Sequence, residues 1–331
     1  MIEEDIEPTG GGQAWERIDF HAHLLPDFYR EALTAAGEGG PDGMSSAPDW
    51  SVAGALDMMD RTGIRFAVLS LSSPGVHFGD DAAARRLARR INEFGATLVA
   101  EHPDRFAMLA TLPLPNVDGA VAELEYALDV LHLDGVAIES NARGLYPGDD
   151  AMRPVFDALE ARSALLFLHP TSPPNSGSVS FARPRPIVEF PLETTRAVVD
   201  LVLSGVIGRS SRMRVLIPHG GGALAAIADR VATLAPALMD LGGVDVVAEL
   251  GALFYDLAGI PVPRQLPSLL ELASTDRLVY GSDWPFTPVP IIETMAAAIQ
   301  VTDLLSDPDR DNIRWRNAVT LLPRLAELTR W

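Results

Sequence analysis

Arg17-Ile-Asp-Phe-His-Ala-His23 is a short β-branched and aromatic run that ends in a His-x-His pair. Three later stretches share the design: Leu165-Leu-Phe-Leu-His169, Val215-Leu-Ile-Pro-His219 and Leu278-Val-Tyr-Gly-Ser-Asp283. Each is an apolar segment of strand length closing on a histidine or a carboxylate. Further strands are predicted at Phe66–Leu71, Phe106–Leu112, Gly135–Ile138 and Leu253–Leu257, the first strand ending at His21. Segments of helical periodicity lie between them, among them Val52–Thr62, Asp80–Glu101, Asp118–Leu131 and Glu189–Leu203. Strands alternating with helices predict a parallel sheet. Eight such units in a chain of 331 residues fit a (β/α)8 TIM barrel, an α/β fold, better than an open sheet. We expect residues 1–16 to be a flexible polar tail and 17–331 a single barrel domain. Leu24–Ser51 and Pro170–Val188 are too long for simple connections. Both follow strands, which predicts that they cover the C-terminal mouth of the barrel, and the second is a candidate lid.

Composition removes much chemistry. The chain has no cysteine, which excludes disulfides, thiolate metal sites and cysteine nucleophiles. All 26 basic residues are arginine, so there is no lysine to form a Schiff base, to serve a P-loop or to bridge two metals as a carbamate. A net charge of −19 argues against nucleic acid and against an anionic membrane surface. The acidic N-terminus lacks the features of a signal peptide, and no apolar run is long enough to span a bilayer, so a cytoplasmic location is expected.

Residues two apart on a strand share a face. His21 and His23 therefore face the barrel axis together, with Asp19 one layer deeper. Alone, any one of the seven histidines reads most simply as a satisfied core or surface residue. The argument lies in placement, because His21, His23, His169, His219 and Asp283 close strands 1, 5, 6 and 8, whose ends converge on one mouth. A catalytic divalent metal needs about three or four such ligands and one open position. His77 after strand 2, and Asn141 and Arg143 after strand 4, are candidate substrate contacts near that mouth. Trp284 and Phe286 could wall the pocket or fill core. Gly220–Gly222 reads as close packing of strand 6 onto its helix rather than as a phosphate cradle, and His102 and His132 as structural.

These motifs, together with Asn92-Glu-Phe, His102-Pro-Asp-Arg-Phe106, Leu112-Pro-Leu-Pro115, Pro191-Leu-Glu-Thr-Thr-Arg196 and Tyr280-Gly-Ser-Asp-Trp-Pro-Phe286, resemble the amidohydrolase superfamily. Within it they resemble the branch of aminocarboxymuconate semialdehyde decarboxylase. Pro48-Asp-Trp-Ser51, Leu69-Ser-Leu-Ser-Ser-Pro-Gly75 and Glu189-Phe-Pro-Leu-Glu-Thr-Thr195 look closest to the 6-methylsalicylate decarboxylases. The resemblance implies one divalent metal, zinc first and manganese as the alternative, held by His21, His23, His169 and Asp283. It implies His219 as the unmetallated histidine that hydrogen-bonds water or substrate, and a homodimer. The semialdehyde enzymes carry an arginine shortly before the tryptophan matching Trp50, whereas Gly39–Asp49 has none here. That departure favours a small monocarboxylate as substrate. The expected reaction is non-oxidative decarboxylation of an aromatic hydroxy-carboxylate, with His219 and Asp283 handling the proton. The alternative is hydrolysis of a lactone, ester or amide on the same scaffold.

Overall fold

The computed structural model describes residues 16–37 and 40–327. The expected tail lies outside them except for Glu16, as do the last residues of the chain. Eight strands form one parallel sheet in sequence order: β1 (Arg17–Leu24), β2 (Ile64–Leu71), β3 (Phe106–Thr111), β4 (Gly135–Glu139), β5 (Leu165–His169), β6 (Arg214–Ile217), β7 (Phe254–Asp256) and β8 (Leu278–Val279). The ring is completed by isolated bridges Asp19–Tyr280 and Ala22–Trp284, with the Phe20 and His23 amides donating to the carbonyls of Tyr280 and Trp284. This is the (β/α)8 barrel that the alternation predicts.

Local chemistry sets the helices between strands. Ser51 caps Val52–Thr62 by accepting from the Gly54 amide, and Gly63 ends it in the left-handed region at φ +69°. Asp80 caps Asp81–Glu101 in the same way through Ala83. The helix expected at Asp118–Leu131 runs from Val117 to Glu125 and finishes as a π-helical turn, Tyr126–Val130. Beyond two single turns, Ser176–Val179 and Val206–Arg209, two helices add to those expected, Asp27–Ala35 inside the long segment after β1 and Val246–Ala252 before β7. The first has nine residues and the second seven. Neither presents enough apolar periods to stand out.

Two cores result. One lies between strands and helices. The other fills the barrel with Ile18, Phe20, Phe66, Val68, Leu109 and Phe167, and Ala318, Leu321, Leu322 and Leu325 of the C-terminal segment join it. Arg214, at the start of β6, donates to the Leu321 carbonyl, so this segment plugs the barrel at the strand N-termini. The open end is left to the strand C-termini.

Candidate metal centre

Simple alternation does not explain β1. Ile18 and Phe20 belong to the interior cluster, while Ala22 and Leu24 belong to the outer one. The pairing with β2 slips between Asp19 and Ala22, and this bulge resets the phase. His21 and His23 thus turn inward above Phe20. Asp19, expected on their face one layer deeper, lies across the slip and serves the backbone, accepting the His21 and Ser282 amides at 2.9 and 3.0 Å.

The structure brings His21, His23, His169 and Asp283 together, one ligand atom from each lying within 4.8 Å of all the others. Both strand-1 histidines are fully buried, and their Nε2 atoms have no hydrogen-bond partner. An orphaned buried nitrogen is costly unless something takes its lone pair. His21 Nδ1 donates to Asp256 Oδ2 at 2.9 Å. His23 Nδ1 faces the Ser70 carbonyl at 3.3 Å and its hydroxyl at 3.2 Å. Those partners fix each ring so that Nε2 points at the cluster.

Electrostatics fit a cation. Burial works against charge on His21, but Asp256 and Asp283 outweigh it and lift the ring to about 9. A field that holds a second proton on this imidazole also favours a metal ion in that proton's place. Burial pushes His23 down, and burial with the neighbouring His23 and His21 pushes His169 well down, keeping both rings in the neutral form that ligates. Burial alone would raise Asp283, yet His21, His219 and His23 hold it well below the usual carboxylate range. Three imidazoles and one carboxylate are the donor set of a divalent ion such as zinc. Behind His169, its Nδ1 lies 3.5 Å from Glu139 Oε2, and burial and the Asp42 charge keep that carboxyl well above its ordinary value.

Asp283 is shared. Its Oδ1 lies 3.5 Å from His21 Nε2 and 3.3 Å from His23 Nε2, whereas its Oδ2 lies 3.5 Å from His219 Nε2. His219 and Asp283 are non-glycine residues in the left-handed region, at φ +54° and +58°. Such conformations cost about 1–3 kcal/mol each and persist where the surroundings over-determine them. Here the Asp283 amide donates to the His21 carbonyl at 2.6 Å, and the His219 amide donates to Asp256 Oδ1 at 2.9 Å.

Asp256, absent from the sequence-derived candidates, is therefore the hub, with one oxygen on a ligand ring and the other on the His219 backbone. It closes an apolar strand as the other site residues do, and that signal could have found it. The glycines after His219 answer to packing. All three have positive φ, and a Cβ on Gly222 would overlap the Pro191 backbone.

The cluster opens into a cavity of about 410 Å3, whose lining includes Asp42, Met44, Phe190, Ile260 and Phe286. His77 and Asn141 line a second cavity instead. His77 is engaged there with Asp81 at 2.8 Å, and Asn141 donates to the Ser172 carbonyl and Glu193. Trp284 lies in the main core, and Phe286 takes the pocket wall, edge-on to His23 at 5.5 Å.

Comparison with known proteins agrees with this geometry. Decarboxylase yanB of Aspergillus niger is 34% identical over 93% of this chain and 88% of its own length. The 6-methylsalicylic acid decarboxylase acuB of Aspergillus aculeatus is 32% identical over 93% and 96%. A crystal structure described as amidohydrolase II superposes with a TM-score of 0.88 at 37% identity, covering 93% of this chain and 99% of that one. A dihydroxybenzoic acid decarboxylase from Polaromonas, solved with bound manganese, shares the fold at 23% identity with a TM-score of 0.79, over 96% and 99%. The family model described as Amidohydrolase matches residues 18–324, and the chain belongs to that family.

Proposed function

We propose that the protein is a metal-dependent, non-oxidative decarboxylase of small aromatic hydroxy-carboxylates of the 6-methylsalicylate type. The observation that carries this is the division of Asp283, one oxygen turned to the ligand histidines and the other to His219. His21, His23, His169 and Asp283 hold the ion, zinc by donor set, with manganese as the alternative that the Polaromonas structure illustrates. When bound, the ion supplies a positive charge that anchors the substrate's carboxylate and adjacent oxygen.

The chain's residues do the rest. The carboxylate-bearing ring carbon takes a proton from the Asp283–His219 pair. The bond to the carboxylate then breaks, its electron pair restores the aromatic ring, and carbon dioxide leaves. Substrate carboxylate plus one proton thus gives phenol plus carbon dioxide. Phe190, Phe286 and Met44 pack the ring and exclude water. The names of the relatives favour this reaction over hydrolysis on the same scaffold. A homodimer, a cytoplasmic location and a single domain over 17–331 complete the proposal.

The test is a panel of ortho-hydroxybenzoates including 6-methylsalicylate. At least one should yield carbon dioxide and its phenol, with deuterium at the vacated carbon in heavy water. The same acids without the ortho hydroxyl should be inert. Turnover of lactones or esters, with no carbon dioxide from any hydroxy acid, overturns the proposal in favour of a hydrolase.

A further inference from the structure

The cavity lining divides into a polar floor and an apolar wall. His169, His219 and Asp283 make the floor, and Met44, Phe190, Ile260 and Phe286 are wall residues. Among the described residues lining it above the floor, a single side chain is formally charged, Asp42, and no arginine reaches in.

Asp42 is built in rather than loosely placed. It is 5% exposed and holds a left-handed backbone at φ +50°. The hydroxyls of Ser73 and Ser172 donate to its two oxygens, and the Ser172 amide donates at 3.1 Å. Three segments, after β1, β2 and β5, thus converge on one carboxylate. Hydroxyl and amide dipoles solvate that charge without cancelling it, and no arginine or histidine pairs with it among the described residues. Arg185 approaches but spends its Nε on the Ser172 hydroxyl, at 2.6 Å.

We infer that Asp42 is a specificity-determining residue, a fixed negative charge that confines ligands of this cavity to a single carboxylate. The inference rests on the decarboxylase reading for its substrate class. One carboxylate is drawn to the floor. A second, carried on the ring, enters the field of Asp42 between apolar walls. At an effective dielectric of about 20, like charges about 6 Å apart repel by about 2.8 kcal/mol, a loss of roughly 100-fold in affinity. A methyl or carbamoyl group in the same place meets no such field.

Calorimetry on the metal-loaded full-length protein tests this without turnover, using benzoate, isophthalate and 3-carbamoylbenzoate. The wild type should bind 3-carbamoylbenzoate about 100-fold more tightly than isophthalate, which has nearly the same shape and an added charge. Equal affinities overturn the inference without any variant. In Asp42→Asn the isophthalate-to-benzoate ratio should narrow at least tenfold through a fall in the isophthalate dissociation constant itself, an improvement that a merely disordered pocket cannot give. Parallel weakening of both ligands in a folded Asp42→Asn, judged by thermal melting, assigns Asp42 a structural role and overturns it; Asp42→Ser replaces a variant that does not fold. Failure of the whole hydroxybenzoate panel sinks the decarboxylase reading and leaves these binding constants to decide the filter alone.

Discussion

The floor of the cavity and its cover obey different rules. The floor stands on strand ends. His21, His23, His169 and Asp256 are at most 2% exposed, and each strand-1 imidazole is oriented by a partner on another strand. The cover is made of segments between strands and helices, and two of its apolar members, Ile187 and Ile260, are 65% and 72% exposed. The floor is held by Asp256, which accepts from the His21 ring and the His219 amide, and by Ser70 against the His23 ring. The cover is held by a few hydrogen bonds centred on Asp42 and Arg185. Chemistry should therefore fail abruptly when the floor is altered, and affinity should drift when the cover is altered.

The largest effect is expected at the ligands. His21→Ala or His169→Ala should lose the ion, measured as a fall from about one divalent ion per chain to background, with turnover falling below detection. Two ions per chain, or full occupancy in both variants, breaks the description of the floor. Next comes His219→Ala, which should keep its metal and lose about 10²–10⁴-fold in turnover. Metal loss in that variant would move His219 into the ligand set and erase the division of Asp283.

Asp256→Asn should cost about 10–100-fold in metal affinity or turnover, because the ring of His21 and the strained backbone of His219 both lean on that carboxylate. A metal titration with full activity retained would show that ring orientation comes from packing against Phe167 instead. Chelation of the intact protein is gentler. Binding at 100 times the dissociation constant stabilises by about 2.7 kcal/mol, so removal should lower the melting temperature by several degrees. An unchanged melting temperature would mean that the folded protein held no tightly bound ion before chelation.

The same contrast governs what could be read in advance. Strand ends were legible because an apolar run closed by a histidine or carboxylate is a pattern one residue deep, and β5 and β6 were recognised almost to the residue. Asp256 escaped because the predicted strand ran on to Leu257, hiding the carboxylate within it. The phase of β1 could not be read, since a bulge leaves period-2 alternation on both of its sides and no mark in composition. The cover was recognised only as length. The role of Asp42 depends on hydroxyls from the segments after β2 and β5, at positions 31 and 130 residues away. No local periodicity carries such contacts, which is also why His77 and Asn141, reasonable by sequence position, line the second cavity instead.

The smallest effect should come from the cover. Arg185 is half-buried in the segment expected as a lid, and its Nε donates to the Ser172 hydroxyl at the start of the same segment. Hydrogen bonds to charged groups contribute about 1.5–3 kcal/mol when sheltered, and partial exposure of this one places it at or below the low end. Arg185→Ala leaves Asp42 all its donors and each strand-1 imidazole its partner, so metal content and kcat should stay as they are. Loosening the cover weakens substrate and transition state alike, which appears as a KM rise of about 3–10-fold. The melting temperature should move by no more than about 2 °C. A fall in kcat with constant KM would tie the cover to the chemical step. Loss of metal would join cover to floor and dissolve the distinction between them.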